Sequence, residues 1–189
     1  GNCEEPNTPV PMTYGLRLSG RNLRLVGAND HQSIIETRAG YGIWLRDCQA
    51  CALEGLVIEG GIRDTSGAAT DAAVVIQRSS ARVQQNWIRD NIGDSTTVAT
   101  HVVGIIGIAC REGCRARIVE NRITRNSWDG IALYRDAEAE IIGNEIDGVD
   151  LAVGSRVGGG RGVGIGCTWN ARATIRGTLV RRYWKGIGL

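Results

Sequence analysis

The sequence predicts an all-β solenoid, and three observations predict it. One pattern of small and apolar residues recurs along the chain at intervals above about 20 residues, the mark of a repeat architecture. Within each copy the apolar residues stand two apart, in short runs broken by turn residues, which is strand periodicity. The composition agrees: 27 Gly and no Phe in 189 residues fit a turn-rich protein with an aliphatic interior.

Gly42, Ala72, Gly107, Gly130, Gly164 and Gly186 open successive copies and are taken as position zero. Ile43, Ala73, Ile108, Ile131 and Ile165 follow at position one, and Leu45, Val75, Cys110, Leu133 and Cys167 at position three. Together they are the inward side chains of a first strand. Position nine is always small, as Cys51, Ala81, Ala116, Ala139 and Ala173, and position eleven is aliphatic, as Leu53, Val83, Ile118, Ile141 and Ile175. These make a second strand. Asn86, Asn121, Asn144 and Thr178 stand at position fourteen, a bend. Asn suits it structurally: it tolerates left-handed backbone and bonds its own backbone, and stacked amides can bond each other. Ile58, Ile88, Ile123, Ile146 and Val180 at position sixteen mark a third strand. An earlier copy, Gly15 to Leu25, fits with one residue missing.

No copy can bury its inner face alone. Stacked copies, about 4.8 Å apart, line like residues into columns, and each fully buried aliphatic side chain contributes roughly 1.5–3 kcal/mol. The outward charges agree with this register. Arg115, Glu138 and Arg172 share position eight, and Arg117 and Glu140 share position ten, so opposite charges meet across copies.

The run IVENRITRNSWDGIAL (118–133), followed by IIGNEIDGVD (141–150), resembles the right-handed parallel β-helix repeat typified by pectate-lyase-like proteins. The match extends from about Tyr14 to Leu189. It implies a right-handed, single-stranded parallel β-helix of about seven coils, with long loops on one corner. Such proteins include polysaccharide lyases, hydrolases, epimerases, phage tail depolymerases and surface proteins without known catalysis. The resemblance implies a secreted, periplasmic or cell-surface setting. The better-known catalytic signatures are missing. There is no Asn-Thr-Asp with Asp-Asp and Gly-His-Gly, no Asp-Pro-His-Asp and no Arg-x-Pro-x-x-Arg, and no Pro follows residue 11. No catalytic residue is therefore carried over.

Length predicts one domain over 1–189, with 1–13 as an irregular lead-in. A net charge of +2 gives no reason to expect nucleic acid or a membrane surface. The longest apolar stretch, 102–110, is too short to span a bilayer. The chain opens without a signal peptide. It stops just inside a further copy, which predicts either a fragment of a longer solenoid or end-to-end contact through an uncapped C-terminal coil. Among six Cys, Cys110 and Cys167 lie two copies apart, too far for a bridge. They read as buried thiols. Cys48 and Cys51 can close a local loop, Cys110 with Cys114 less readily, and the pairs are too far apart to share zinc.

Function is expected where the repeat is interrupted. Every insertion falls after position sixteen, with long loops at 59–71, 89–106 and 147–163 and short corners at 124–129 and 181–185. A depression is expected over the short corner 124–129, walled by the two long loops beside it. Its floor offers Arg125, Asn126, Trp128 and Asp129. Arg89, Asp90, Asp94 and His101 stand on one side, and Asp147, Asp150, Arg156 and Arg161 on the other. Arg181, Arg182, Tyr183, Trp184 and Lys185 lie beyond. Asp129, Asp90, Asp147 and His101 are the candidate acid/base groups, because paired carboxylates cleave glycosidic bonds. Trp128, Arg125, Arg89, Trp184 and Arg182 are the candidate sugar contacts. Asp94 and Asp150 are the candidates to hold Ca2+. The plainer reading makes the Arg and Asp residues surface pairs, Asp-Gly a turn, and the two Trp lids on the core. Two functions follow: a lyase- or hydrolase-like carbohydrate-active domain, or a non-catalytic surface or adhesion module. Both imply polysaccharide contact.

Overall fold

A computed structural model of the chain describes residues 2–5, 8–28, 31–64, 71–93, 104–148 and 160–189, with side chains from 12 to 148 and 162 to 189 within those ranges. Among the described residues there is no helix, and the strands form three sheets. The first runs in the order β1 (Asn2–Glu5), β2 (Thr8–Arg21), β5 (Tyr41–Gln49), β8 (Ala72–Gln77), β11 (Ile106–Arg111), β14 (Ile131–Tyr134), β17 (Gly160–Thr168), β20 (Tyr183–Gly188). The second stacks β3 (Arg24–Val26), β6 (Cys51–Glu54), β9 (Ser80–Gln84), β12 (Arg115–Val119), β15 (Glu138–Ile142) and β18 (Arg172–Arg176). The third stacks β4 (Ile34–Glu36), β7 (Val57–Glu59), β10 (Trp87–Arg89), β13 (Arg122–Thr124), β16 (Glu145–Asp147) and β19 (Leu179–Arg181). The chain visits the three sheets in turn, and all pairings are parallel except β1 on β2. Part of the stretch expected to be irregular thus forms β1 and the start of β2.

The columns form as the repeat predicts. Ala116, Ala139 and Ala173 pair in register, as do Ile118, Ile141 and Ile175. The residue missing from the first copy appears as a register shift between Leu18 and Gly20. One strand differs from expectation. Val74 and Ile76, not Ala73 and Val75, align with Ile43 and Leu45 and with Ile108 and Cys110. Position zero of that copy is Ala73, so the corner between β8 and β9 is one residue shorter than its counterparts. Ser79 closes it: its Oγ accepts from the Cys48 N–H at 2.9 Å and lies 2.7 Å from the Gln77 carbonyl, to which it donates.

The glycine column has a steric cause. A Cβ on Gly107 would lie 2.6 Å from the Gly130 carbonyl oxygen and 2.6 Å from Ile123 Cγ2. Gly130 and Gly164 meet the carbonyl of the next copy at the same distance. Gly107→Ala is expected to cost about 2 kcal/mol by overpacking, or roughly 4–8 °C in Tm for a chain of this size. A thermal melt checks it.

The interior is aliphatic, with the inward residues of all three sheets in one buried cluster. The outer face of the first sheet carries a second one: Met12, Tyr41, Trp44, Ala72, Val75, Ile106, Ala109 and Ala132 are all buried. The middle of that sheet is therefore apolar on both faces. Cys48 and Cys51 form the local disulfide, with Cα atoms 5.9 Å apart. Cys110, Cys114 and Cys167 are buried free thiols, and Leu133 separates Cys110 from Cys167 in the ladder.

The bend between second and third strands is a continuous amide ladder. Asn121 Oδ1 accepts from both the backbone N–H and Nδ2 of Asn86 at 3.0 Å, and Asn144 Oδ1 does the same for Asn121 at 2.9 and 3.0 Å. The left-handed residue is not the Asn but the one before it: Gly55, Gln85, Glu120, Gly143 and Gly177 have φ of 67°, 52°, 52°, 64° and 57°.

Candidate functional site

The corner joining β13 to β14 is the floor that the sequence singled out. It turns at Arg125, whose φ of 57° continues a left-handed column with Gly60 and Asp90. Asp accepts that conformation more readily than most residues, which gives Asp90 a backbone role. Arg125 Nε also donates to Asp90 Oδ1 at 2.6 Å, and both side chains are exposed. Arg89 donates to Glu59 at 2.8 Å and lies 4.1 Å above the Trp87 ring.

Asn126 belongs to the scaffold rather than to an open floor. It is buried, accepts from Asn91 Nδ2 at 2.8 Å and donates to the Ile88 carbonyl at 3.2 Å. This is a second amide ladder, one corner further on. Its signal was available, since Asn91 and Asn126 both stand three residues after the position-sixteen Ile.

Asp147 is 3% exposed and engaged on both oxygens. Arg182 Nε donates to Oδ1 at 2.6 Å, Arg182 Nη2 to Oδ2 at 2.5 Å, and Arg181 Nε to Oδ2 at 2.9 Å. The Arg182 guanidinium holds its carboxyl below the usual range. Trp184 is 76% exposed, beside Lys185. His101, Asp94, Asp150 and Arg156 lie outside the described residues. Among the described residues no three His, Cys, Asp or Glu side chains converge as a metal site.

Asp129 is different. It is 7% exposed, and burial pushes its carboxyl up to about 6, against one backbone hydrogen bond that lowers it. Oδ1 accepts from the Val163 N–H at 2.6 Å. Oδ2 has no hydrogen-bond partner among the described residues and faces Gly166, 4.0 Å from where a Cβ would stand. Asp129 thus continues the outward column of Tyr41, Ala72 and Ile106, an acid where earlier copies are apolar. Trp128 packs partly buried against the outer-face cluster. Tyr134, on the same face, is raised by burial and then by the Asp129 charge. Its ring lies 5.8 Å from that of Trp169, which is 65% exposed. Tyr183 Oη is buried without a hydrogen-bond partner among the described residues, near where a Cβ on Gly130 would be, and burial and then Asp129 raise it too.

Sequence reasoning missed one charged cluster entirely. Asp64 and Asp71 are buried together, and Arg63 reaches Asp71 Oδ2 at 3.0 Å. The Asp64 N–H donates to the same oxygen at 3.0 Å. Thr13 donates to Asp64 through its N–H and its hydroxyl, and the Gly40 N–H donates to that hydroxyl at 2.8 Å. Burial, then the nearby Asp64 charge among the raising influences, lifts Asp71 to about 7. Asp64 Oδ2 and Asp71 Oδ1 both crowd the space where a Gly40 side chain would be. Only the tertiary fold brings residues 13, 40, 64 and 71 together.

The fold and this face define a class: an all-β solenoid of parallel strands with a buried acid on the outside of its largest sheet. No family model matches the chain, and no curated protein matches it in sequence. No helix among the described residues is long and apolar enough to cross a membrane.

Proposed function

We propose that this chain is a right-handed parallel β-helix of about seven coils, akin to pectate-lyase-like proteins. It works in a secreted, periplasmic or cell-surface setting by contacting polysaccharide. The contact lies over the corner 125–130 and the adjoining outer face of β14 and β17. The observation that carries this reading is Asp129, a buried carboxyl with one oxygen fixed by backbone and the other beside Gly166, without a hydrogen-bond partner among the described residues. A carboxyl near pH 6 exchanges a proton readily at neutral pH. Trp169 and Tyr134 offer an apolar shelf for the C–H face of a sugar ring.

A second reading, the non-catalytic surface or adhesion module, has its own support. Glycosidic hydrolysis with two carboxylates needs both free and about 5–9.5 Å apart, yet Asp90 and Asp147 are held by arginines. Exposed Leu179 and Ile187 on β19 and β20 support edge contact with another molecule. A glycan panel with Asp129→Ala and Trp128→Ala separates the two. Binding weakened about tenfold, as expected for a lost hydrogen bond of roughly 1.4 kcal/mol, supports the site. Unchanged binding removes it. Oligosaccharide product from wild type but not from Asp129→Ala makes the site catalytic.

A further inference from the structure

The outer face of the second sheet carries guanidinium groups in excess of what the fold neutralises. Arg24, Arg82, Arg115, Arg117, Arg172 and Arg176 all point outward there and are exposed. The carboxylates on the same face are Glu54, Glu138 and Glu140. Arg24 meets Glu54 at 3.0 Å and Arg117 meets Glu140 at 3.3 Å, while Arg115 and Arg172 share Glu138 at 3.6 and 3.8 Å. Arg82 acts on Glu54 only through space, adding to the stronger effect of Arg24, and neither Arg82 nor Arg176 makes a direct ion pair among the described residues. Arg82 stands directly across from Arg117 in the pairing of β9 with β12. Like charges facing each other at a strand spacing of about 4.8 Å oppose the stacking. The fold gains nothing from this pair, and with a net charge of +2 for the whole chain the cation excess is local. A shallow depression of about 450 Å³ opens on the same face, lined by Arg115, Arg117, Glu138, Glu140, Arg172 and Thr174 over a floor of alanines.

We propose that this face binds a sulfated polysaccharide laid along the solenoid axis. The arginines recur from β3 to β18, so the ligand is a polymer with repeated anionic groups, not a single small anion. A sulfate ester presents three terminal oxygens, enough for Arg82 and Arg117 to share one group. A carboxylate has two, which one guanidinium fork saturates. Nucleic acid fits poorly, because no outward position of this sheet carries an aromatic ring on which bases would stack. The existing ion pairs are exposed, worth about 0–1 kcal/mol each, so their arginines exchange a Glu for a sulfate at little cost. The ligand class extends the reading of Asp129, but the residues lie on a different sheet, so each assignment fails separately.

Heparin affinity tests it, with titrations over a range of salt concentration. Wild type is retained, and the Arg82→Ala/Arg117→Ala double variant, with an unchanged thermal melt, binds at least about tenfold more weakly. Its log–log salt dependence falls by about 2, one for each lost contact. Asp129→Ala binds heparin as wild type does. A polyuronate binds more weakly than heparin, and neutral dextran does not bind. The proposal is overturned if wild type is not retained, if the double variant binds undiminished, or if a polyuronate or single-stranded DNA binds as tightly at equal ionic strength.

Discussion

Asn121→Ala is expected to lower the unfolding free energy by about 3–5 kcal/mol, through several buried groups left unsatisfied at about 1–3 kcal/mol each. Asn121 is 2% exposed and sits mid-ladder. Its Oδ1 takes two hydrogens from Asn86, and its Nδ2 donates to the Val83 carbonyl at 2.8 Å and to Asn144 Oδ1. Truncation strands the Asn86 N–H and one hydrogen of the Asn86 amide and takes a donor from the Val83 carbonyl, while Asn144 Oδ1 keeps only the Asn121 N–H, all among residues that are almost fully buried. Asn121→Thr is expected to fall between. Thr178 already fills the same position, accepting from the Asn144 N–H through its hydroxyl at 3.3 Å, a longer bond. Urea denaturation of wild type and both variants checks the order. A loss under about 1 kcal/mol for Asn121→Ala, the net worth of one ordinary hydrogen bond, would mean that the ladder does not act cooperatively.

Stability is expected to fall as pH rises from about 4 to 7, opposite to the usual trend for carboxylates. Asp71 titrates at about 7 and Asp129 at about 6 in the folded chain, against an ordinary 3.8. In that window the folded state holds protons that the unfolded state has released. Its advantage is whole below the unfolded value and is lost as pH rises through the folded one. At 1.36 kcal/mol per pH unit, the loss is at most about 4 kcal/mol for Asp71 and about 3 for Asp129. Asp147 works the other way: its carboxyl is lowered, so its contribution is present above the unfolded value and lost in acid. Asp71→Asn places an amide where the proton would sit, still able to donate toward Asp64 Oδ2 beside Gly40. Urea midpoints from pH 4.5 to 7.5 are expected to drop for wild type, with a slope at least halved in Asp71→Asn. Identical slopes would show that the Asp64–Asp71 pair holds no proton.

The scaffold was legible because a solenoid writes its tertiary contacts into a one-dimensional repeat. Ala116 predicted Ala139, and Ile123 predicted Ile146, since each packs on its own counterpart. The slip at β8 had a local cause: Ala72, Ala73, Val74 and Val75 are all small and apolar, so alternation could not choose the inward pair, and the shortened Ser79 corner carried no marker. The doubly buried first sheet was legible in principle, because Trp44, Val75, Ala109 and Ala132 are apolar where a solvated face would be polar. The candidate site was legible only in part. Sequence placed Asp129, Asp90, Asp147 and their arginines on one corner, with Asp129 first among them, but could not read the environment of each carboxyl. All were Asp near Arg, and only geometry separates a bidentate pair, an exposed pair and a buried acid held by one backbone N–H.

The sequence by itself determined the all-β repeat, its columns, its bends and the corner where its insertions gather, because those depend on residue type and spacing. Tertiary structure decided the protonation of the acids. Burial of Asp129 and Asp71 comes from residues far along the chain, and a pKa answers to the local dielectric and neighbouring charge, which no spacing records. The same holds for Gly40, whose missing side chain makes room for two carboxylates that the sequence places 24 and 31 residues away.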